Sequence, residues 1–328
     1  MGRFVEFLKE WMLPVAIVAG VSVYLVLHFV PALAASAEVP FSGIAKNVQP
    51  FLLALMLFLQ FNKISPRDLV FRRWHLRALL IQAVTFLALA LVAVTLGPGN
   101  ARILVECAML CFVCPAAAAA GVITDKLGGS LADTVTYLVI INVFAAVIIP
   151  LVVPIVHPAE GVSFWARFGS ICLRVFPLLV LPLLLSWLIR YTMKRFHEAL
   201  LRCVGWAFYV WGICLFFSIY LATKALVSSG ISIWTGLLIC MVSLACTLIQ
   251  FAAGRMAGRA SRPDGAPEEK EADAITAGQA LGQKNTGFLI WLGFTWMTPV
   301  SSVAGGLYSI WQNLINAHEL YVQSHKGK

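Results

Sequence analysis

Lys284 and Asn285 sit side by side in a largely apolar stretch, 272–299, punctuated by Gly278, Gly282 and Gly287. Lys284 is about 15 residues from either end of 270–299, and an ammonium that deep in a membrane-length segment costs about 2.5–3.5 kcal/mol on insertion scales. Such a residue faces a cavity and has a task. It can titrate, or it can pair with an anion. Glu106, some nine residues before Pro115, is the one carboxylate within an apolar run. It can pair with a cation or carry a proton, and its place near a helix start equally suits an interfacial acid. Cys107, Cys111 and Cys114 share a helix face at i, i+4 and i+7. With no His and no acid other than Glu106 at ligand spacing, they read as packing residues, and no metal site is expected.

The elements that must hold these residues are membrane helices. Of 328 residues, 60% are hydrophobic and 12% charged, against about 25% charged in an ordinary soluble domain. Apolar runs long enough for one bilayer crossing recur along nearly the whole chain. They fall near 11–33, 43–62, 74–97, 103–131, 134–157, 164–189, 200–222, 230–255, 272–299 and 300–322, an all-α polytopic protein of ten crossings. Two crossings are irregular. The fourth is interrupted at Pro115 and Gly121, and the ninth by its glycines around Lys284 and Asn285, so both read as broken helices. Ser65-Pro66-Arg67-Asp68 and Ser130-Leu-Ala-Asp133 are helix-start signals in which the acids act as caps. Trp11, Trp74, Trp165, Trp206 and Trp234 lie near span ends and read as interfacial anchors, while Trp291 and Trp296 lie deeper and pack or narrow a cavity.

The net charge of +9 marks orientation rather than nucleic acid. With the N-terminus inside, 18 Lys and Arg residues fall on that side and 5 (Lys46, Arg102, Arg167, Arg174, Lys224) on the other, Lys284 being within a span. The positive-inside bias places both termini in the cytoplasm of a cell inner (plasma) membrane. The apolar run from Trp11 is too long for a cleaved signal peptide and reads as the first helix. Eight cysteines without paired spacing in an extracytoplasmic loop suggest no disulfides. The polar stretch 255–273 is a cytoplasmic linker, and no obligate protein partner is evident.

An intramembrane enzyme is disfavoured: there is no His-Glu-x-x-His, no pair of aspartate-rich motifs and no Gly-x-Gly-Asp. A channel would show a pore loop or a ring of like charges. Two interrupted helices five crossings apart instead match a secondary transporter of two five-helix units, the second inverted, whose unwound backbone lines a binding site.

Several segments carry a family resemblance. Residues 57–69, Leu-Phe-Leu-Gln-Phe-Asn-Lys-Ile-Ser-Pro-Arg-Asp-Leu, then Cys114-Pro115 with its small residues, Gly129-Ser-Leu-Ala-Asp-Thr134, Asn285-Thr-Gly287 and above all Gly305-Gly-Leu-Tyr-Ser-Ile-Trp-Gln-Asn313 resemble motifs of the bile acid:sodium symporter family. The resemblance implies ten helices in two inverted five-helix repeats, 1–157 and 158–328, forming a panel and a core domain, with helices four and nine crossing at their breaks. It implies a small organic anion as substrate, a bile salt, a steroid sulfate or a small carboxylate, moved with sodium.

The ion ligands depart from the family pattern. Its fourth-helix Ser-Asn is Ala120-Gly121 here, a fifth-helix threonine is Leu138 although Thr134 keeps a hydroxyl, and its ninth-helix Glu-Val-Gly-Met-Gln-Asn reads Ala280-Leu-Gly-Gln-Lys284-Asn285. Gln82 corresponds to a third-helix glutamine of the ion site. A sodium ion beside an ammonium and without a carboxylate meets like-charge repulsion at low dielectric, which argues against two sodium sites. Lys284 can take the space of the second ion as a tethered cation, with proton coupling the favoured cycle; Thr134, Gln82 and Glu106 complete the expected ion-coupling set. The substrate positions fare better: Asn285 and Asn313 match two family asparagines, Gln312 replaces a histidine and Ala118 a threonine. A sodium symporter with an altered ion site, and a non-transporting membrane sensor on the same scaffold, are the other readings.

Overall fold

The computed structural model describes the backbone of residues 2–325 and the side chains of 11–325; the orientation residues Arg3, Lys9, Lys326 and Lys328 lie outside the described side chains. The described residues are all-α, with no strand. Helices α1 (Gly2–Phe29), α2 (Pro31–Ser36), α3 (Glu38–Phe61) and α4 (Arg73–Thr95) are followed by α5 (Asn100–Val113), α6 (Ala120–Lys126) and α7 (Leu131–Val156). The second half carries α8 (Phe164–Leu179), α9 (Leu181–Thr192), α10 (Lys194–Cys203), α11 (Ala207–Ser228), α12 (Ile233–Arg259), α13 (Pro267–Gly282), α14 (Thr286–Trp296) and α15 (Val303–His325).

Six helical stretches are long and apolar enough to cross a membrane, and the pair α8 and α9, bent by 43°, makes a seventh. The protein is a polytopic membrane protein. Serines start several helices by accepting a backbone N–H: Ser130 from Asp133, Ser163 from Ala166 and Ser232 from Thr235. The Ser65 motif forms its capping box on a short 3-10 turn, with Asp68 accepting from the Ser65 N–H at 3.0 Å. Asp133, expected as a cap, lies in the first turn of α7, where its N–H donates to Ser130 Oγ and its carboxylate instead receives Arg72 Nε at 3.1 Å.

Packing follows chain order in a repeated way. Helix α5 lies on α4 as α13 lies on α12; α6 meets α7 as α14 meets α15; α4 meets α7 as α12 meets α15. Across the two sets, α12 meets α5 as α4 meets α13, and α13 meets α7 as α15 meets α5. A second group, α1, α3, α8, α9 and α11, packs around α11 and α3.

Three expectations change. The fourth-helix break runs over 114–119, and α6 has already begun at Gly121, where a Cβ would come within 2.6 Å of Leu131 Cδ1. Gly121 therefore serves a close helix contact rather than the break. Trp74 is no interfacial anchor: it is fully buried, its ring 4.1 Å from His75 and 5.6 Å from Tyr137, whereas Trp11, Trp165, Trp206 and Trp234 are exposed. The basic stretch after residue 190, expected as a loop, folds into α10, whose buried His197 faces Asn62.

Candidate functional site

Pro115 has no N–H to continue a helical ladder, and in a membrane the peptide groups released by a break must find partners inside the protein. They find each other. The Ala117 N–H donates to Gln283 O and the Asn285 N–H to Pro115 O, both at 2.9 Å, so the two breaks cross as a single antiparallel bridge between Ala116 and Lys284.

Side chains from four further helices lock this crossing. Lys284 is 1% exposed; its N–H donates to Gln312 Oε1 at 2.8 Å and its Nζ donates to Gln82 Oε1 at 2.9 Å. Gln82 Nε2 in turn donates to Cys114 O at 3.1 Å, and the Tyr137 hydroxyl donates to Gln82 Oε1 at 3.2 Å. The two lone pairs of that amide oxygen are thus both used. Tyr308 donates to Gly282 O at 2.6 Å and accepts from Gln250 Nε2, which also reaches Cys111 O. Cys114 Sγ donates to Asn285 O at 3.0 Å. Among the described residues no carboxylate pairs with Lys284.

The other expected site residues separate into groups. Asn285 caps α14 by accepting from the Phe288 N–H at 3.2 Å, and its Nδ2 is buried without a partner among the described residues. Asn313, half-buried, donates to Ser309 O of its own helix, one position after Gln312. Ala118 lies half-buried within the α5–α6 break. Thr134 is one turn into α7 and turns its hydroxyl back to Ser130 O. Glu106 is not at the crossing: Oε1 receives Arg102 Nε at 3.0 Å and lies 2.8 Å from His157 Nε2, and Oε2 receives the Thr298 N–H at 3.0 Å. It joins the start of α5, the end of α7 and the segment before α15.

Tyr137, Tyr308 and Gln250 are site residues that spacing did not single out, because a lone Tyr or Gln on an apolar helix has no signature. Glu319 was missed for the same reason. It accepts from Arg255 Nη2 and Gln279 Nε2, both at 2.6 Å, and the Gln283 amide donates to Gln279 Oε1, so polar groups run from the end of the bundle that holds the C-terminus up to the crossing.

On that side α6 has no extensive packing on α3 or α11, while on the opposite side α14 packs on both. There Gln49 Nε2 donates to Ser218 Oγ at 2.6 Å and to Gly287 O at 3.3 Å. A Cβ on Gly287 would lie 2.9 Å from Leu53 Cδ2, so this glycine permits the close approach. A comparison with models of protein families finds no match, and a comparison with curated proteins finds none.

Proposed function

We propose that this protein is a secondary transporter that moves an organic anion by alternating access without sodium, with the Lys284 ammonium in the place of a coupling ion. The observation that carries this reading is the Lys284 Nζ to Gln82 Oε1 hydrogen bond of 2.9 Å at the crossed breaks. A sodium ion needs several oxygen ligands. Here the Gln82 oxygen is filled by an ammonium and a hydroxyl, Cys114 O is taken by Gln82 Nε2, and the nearby cation repels another.

Ten crossings in two inverted five-helix repeats, with both termini cytoplasmic, belong to the same proposal. The exchangeable packing of α4 to α7 with α12 to α15 supports the repeat, since each contact in one half has its counterpart in the other. The looser packing of α6 supports access to the crossing from the side of the termini. Substrate contact falls to Asn285, Gln312, Asn313 and the Ala118 segment, whose amides bind an anion without adding charge.

Uptake of a steroid sulfate into proteoliposomes, with sodium replaced by potassium at fixed pH and voltage, tests it. Unchanged uptake is expected. A collapse of uptake in potassium overturns the sodium-independent reading, and saturable binding without any flux overturns transport itself.

A further inference from the structure

Five basic residues lie on the half of the molecule away from the termini, and they divide by partner. Arg102 pairs with Glu106 and Lys224 with Glu38, each at 3.0 Å. Lys46, Arg167 and Arg174 have no ion pair among the described residues, and two of them, Lys46 and Arg174, line one cavity. It has a volume of about 670 Å³ and opens between α3, α8 and α14. Lys46, Asn47, Arg174 and Thr295 supply its polar lining, Phe51, Trp291 and Phe294 the aromatic part of its apolar one, and no carboxylate lines it. Lys46 Nζ lies 5.2 Å from the Phe294 ring centre, and Arg167 and Arg174 lie 5.6 and 5.9 Å from that of Trp296.

Position makes these charges informative. Lys46 is eight residues along α3 and Arg174 ten along α8, so both cations belong to helical segments long and apolar enough to cross a membrane rather than to loops. Unpaired charges on such segments turn to water or to a ligand path. Low-dielectric walls focus the field of two like charges on whatever enters, and a volume in the range of small-molecule pockets admits a sizeable apolar body. None of the residues that form the crossing lines the cavity.

We propose that this cavity is a second, peripheral binding site for an amphipathic organic anion, with Lys46 and Arg174 holding the anionic group and Phe51, Trp291 and Phe294 the apolar body. The site goes beyond the transport reading, because an anion binds here whether or not the crossing moves. The same chemistry is offered by a dissolved amphiphile and by an anionic phospholipid; the assignment is to the dissolved amphiphile.

The experiment measures binding of tritiated estrone sulfate, and of uncharged estrone, to the full chain in phosphatidylcholine nanodiscs. In parallel it follows labelling of Thr295→Cys, at the cavity rim, by a membrane-impermeant maleimide. Estrone sulfate is expected to bind saturably and to slow labelling of Thr295→Cys, and estrone to do neither. The double variant Lys46→Gln with Arg174→Gln should weaken this protection at least ~10-fold, with Lys46→Arg and Arg174→Lys within ~3-fold of the parent. Protection by estrone equal to that by its sulfate, or unchanged protection in the double Gln variant, overturns the proposal. Loss of sulfate protection in nanodiscs containing phosphatidylglycerol, with that lipid retained in native mass spectra, assigns the cavity to lipid and overturns it too. No flux enters these readings, so a protein that binds without transporting keeps this site and loses only the transport proposal.

Discussion

Lys284 and Gln82, 202 positions apart in sequence, meet inside the protein with Nζ 2.9 Å from Oε1, and each also binds the broken backbone: Lys284 through the bridge to Ala116, Gln82 through Cys114 O. One contact therefore joins α4 to both interrupted helices. In the transport proposal this covalently attached cation stands where an ion would hold the two unwound segments together.

That arrangement predicts opposite effects from its two partners. Lys284→Met removes a buried charge and fills a similar volume, so thermal stability should hold or rise while uptake falls at least ~10-fold. Gln82→Leu leaves the ammonium without its acceptor and should cost about 2–3 kcal/mol. The double variant should recover the part of that loss owed to the stranded ammonium but not the part owed to Cys114 O and the Tyr137 hydroxyl, which lose Gln82 in both. Thermal unfolding of the four proteins in one lipid checks it; additive losses would break the link between Lys284 and Gln82.

The Tyr308 hydroxyl fixes the end of α13 by donating to Gly282 O, the last carbonyl before the break. Tyr308→Phe removes that donor from a fully buried acceptor and should lower stability by about 1–3 kcal/mol. Gln250 keeps Cys111 O and Cys246 O as acceptors, so Gln250 itself is not stranded. An unchanged melting temperature would show that Gly282 O finds another partner.

The two breaks were legible because Pro115 and a glycine-flanked lysine are strong local signals, and the all-helical membrane class because apolar length is a bulk property. Partners were not. Glu106 meets His157 and Thr298 from 51 and 192 positions away, and nothing in its own neighbourhood points to them. Trp74 was misplaced for a related reason: a tryptophan near a span end is an anchor only when that face meets lipid, and here His75 and Tyr137 cover it. Gln82 emerged through resemblance alone, since an amide on an apolar helix is silent until its neighbour is known. Gly254 and Gly258 gave no signal of their own and gain meaning only once α13 is seen lying on α12.

That contact gives a contrast within one helix. A Cβ at Gly258 would overlap the backbone of Asp273 and Ala274, and one at Gly254 the backbone of Ala277; small residues here let α12 approach α13, the helix that leads into the break at Lys284. Gly258→Ala should cost about 1–3 kcal/mol by forcing the helices apart. Gly236→Ala, on the same helix with nothing within 4 Å, should instead gain about 0.5–1 kcal/mol from helix propensity. Equal effects at the two positions in thermal unfolding would sink this account of the packing.

Glu106 supplies a test that separates holding the fold from coupling transport. Its carboxylate is fully buried with Arg102, His157 and the Thr298 N–H around it, and Arg102 goes on to Leu96 O and Val156 O. Glu106→Gln keeps the shape but turns an N–H₂ toward one of these donors, so a loss of about 1–3 kcal/mol is expected. Since none of these contacts reaches Lys284 or Gln82, KM for the anion and the pH profile of uptake should stay within ~3-fold of the parent. A displaced pH profile in a variant that folds normally would instead make Glu106 a member of the coupling path, and would shift the proton-carrying role from Lys284 to the far end of α5.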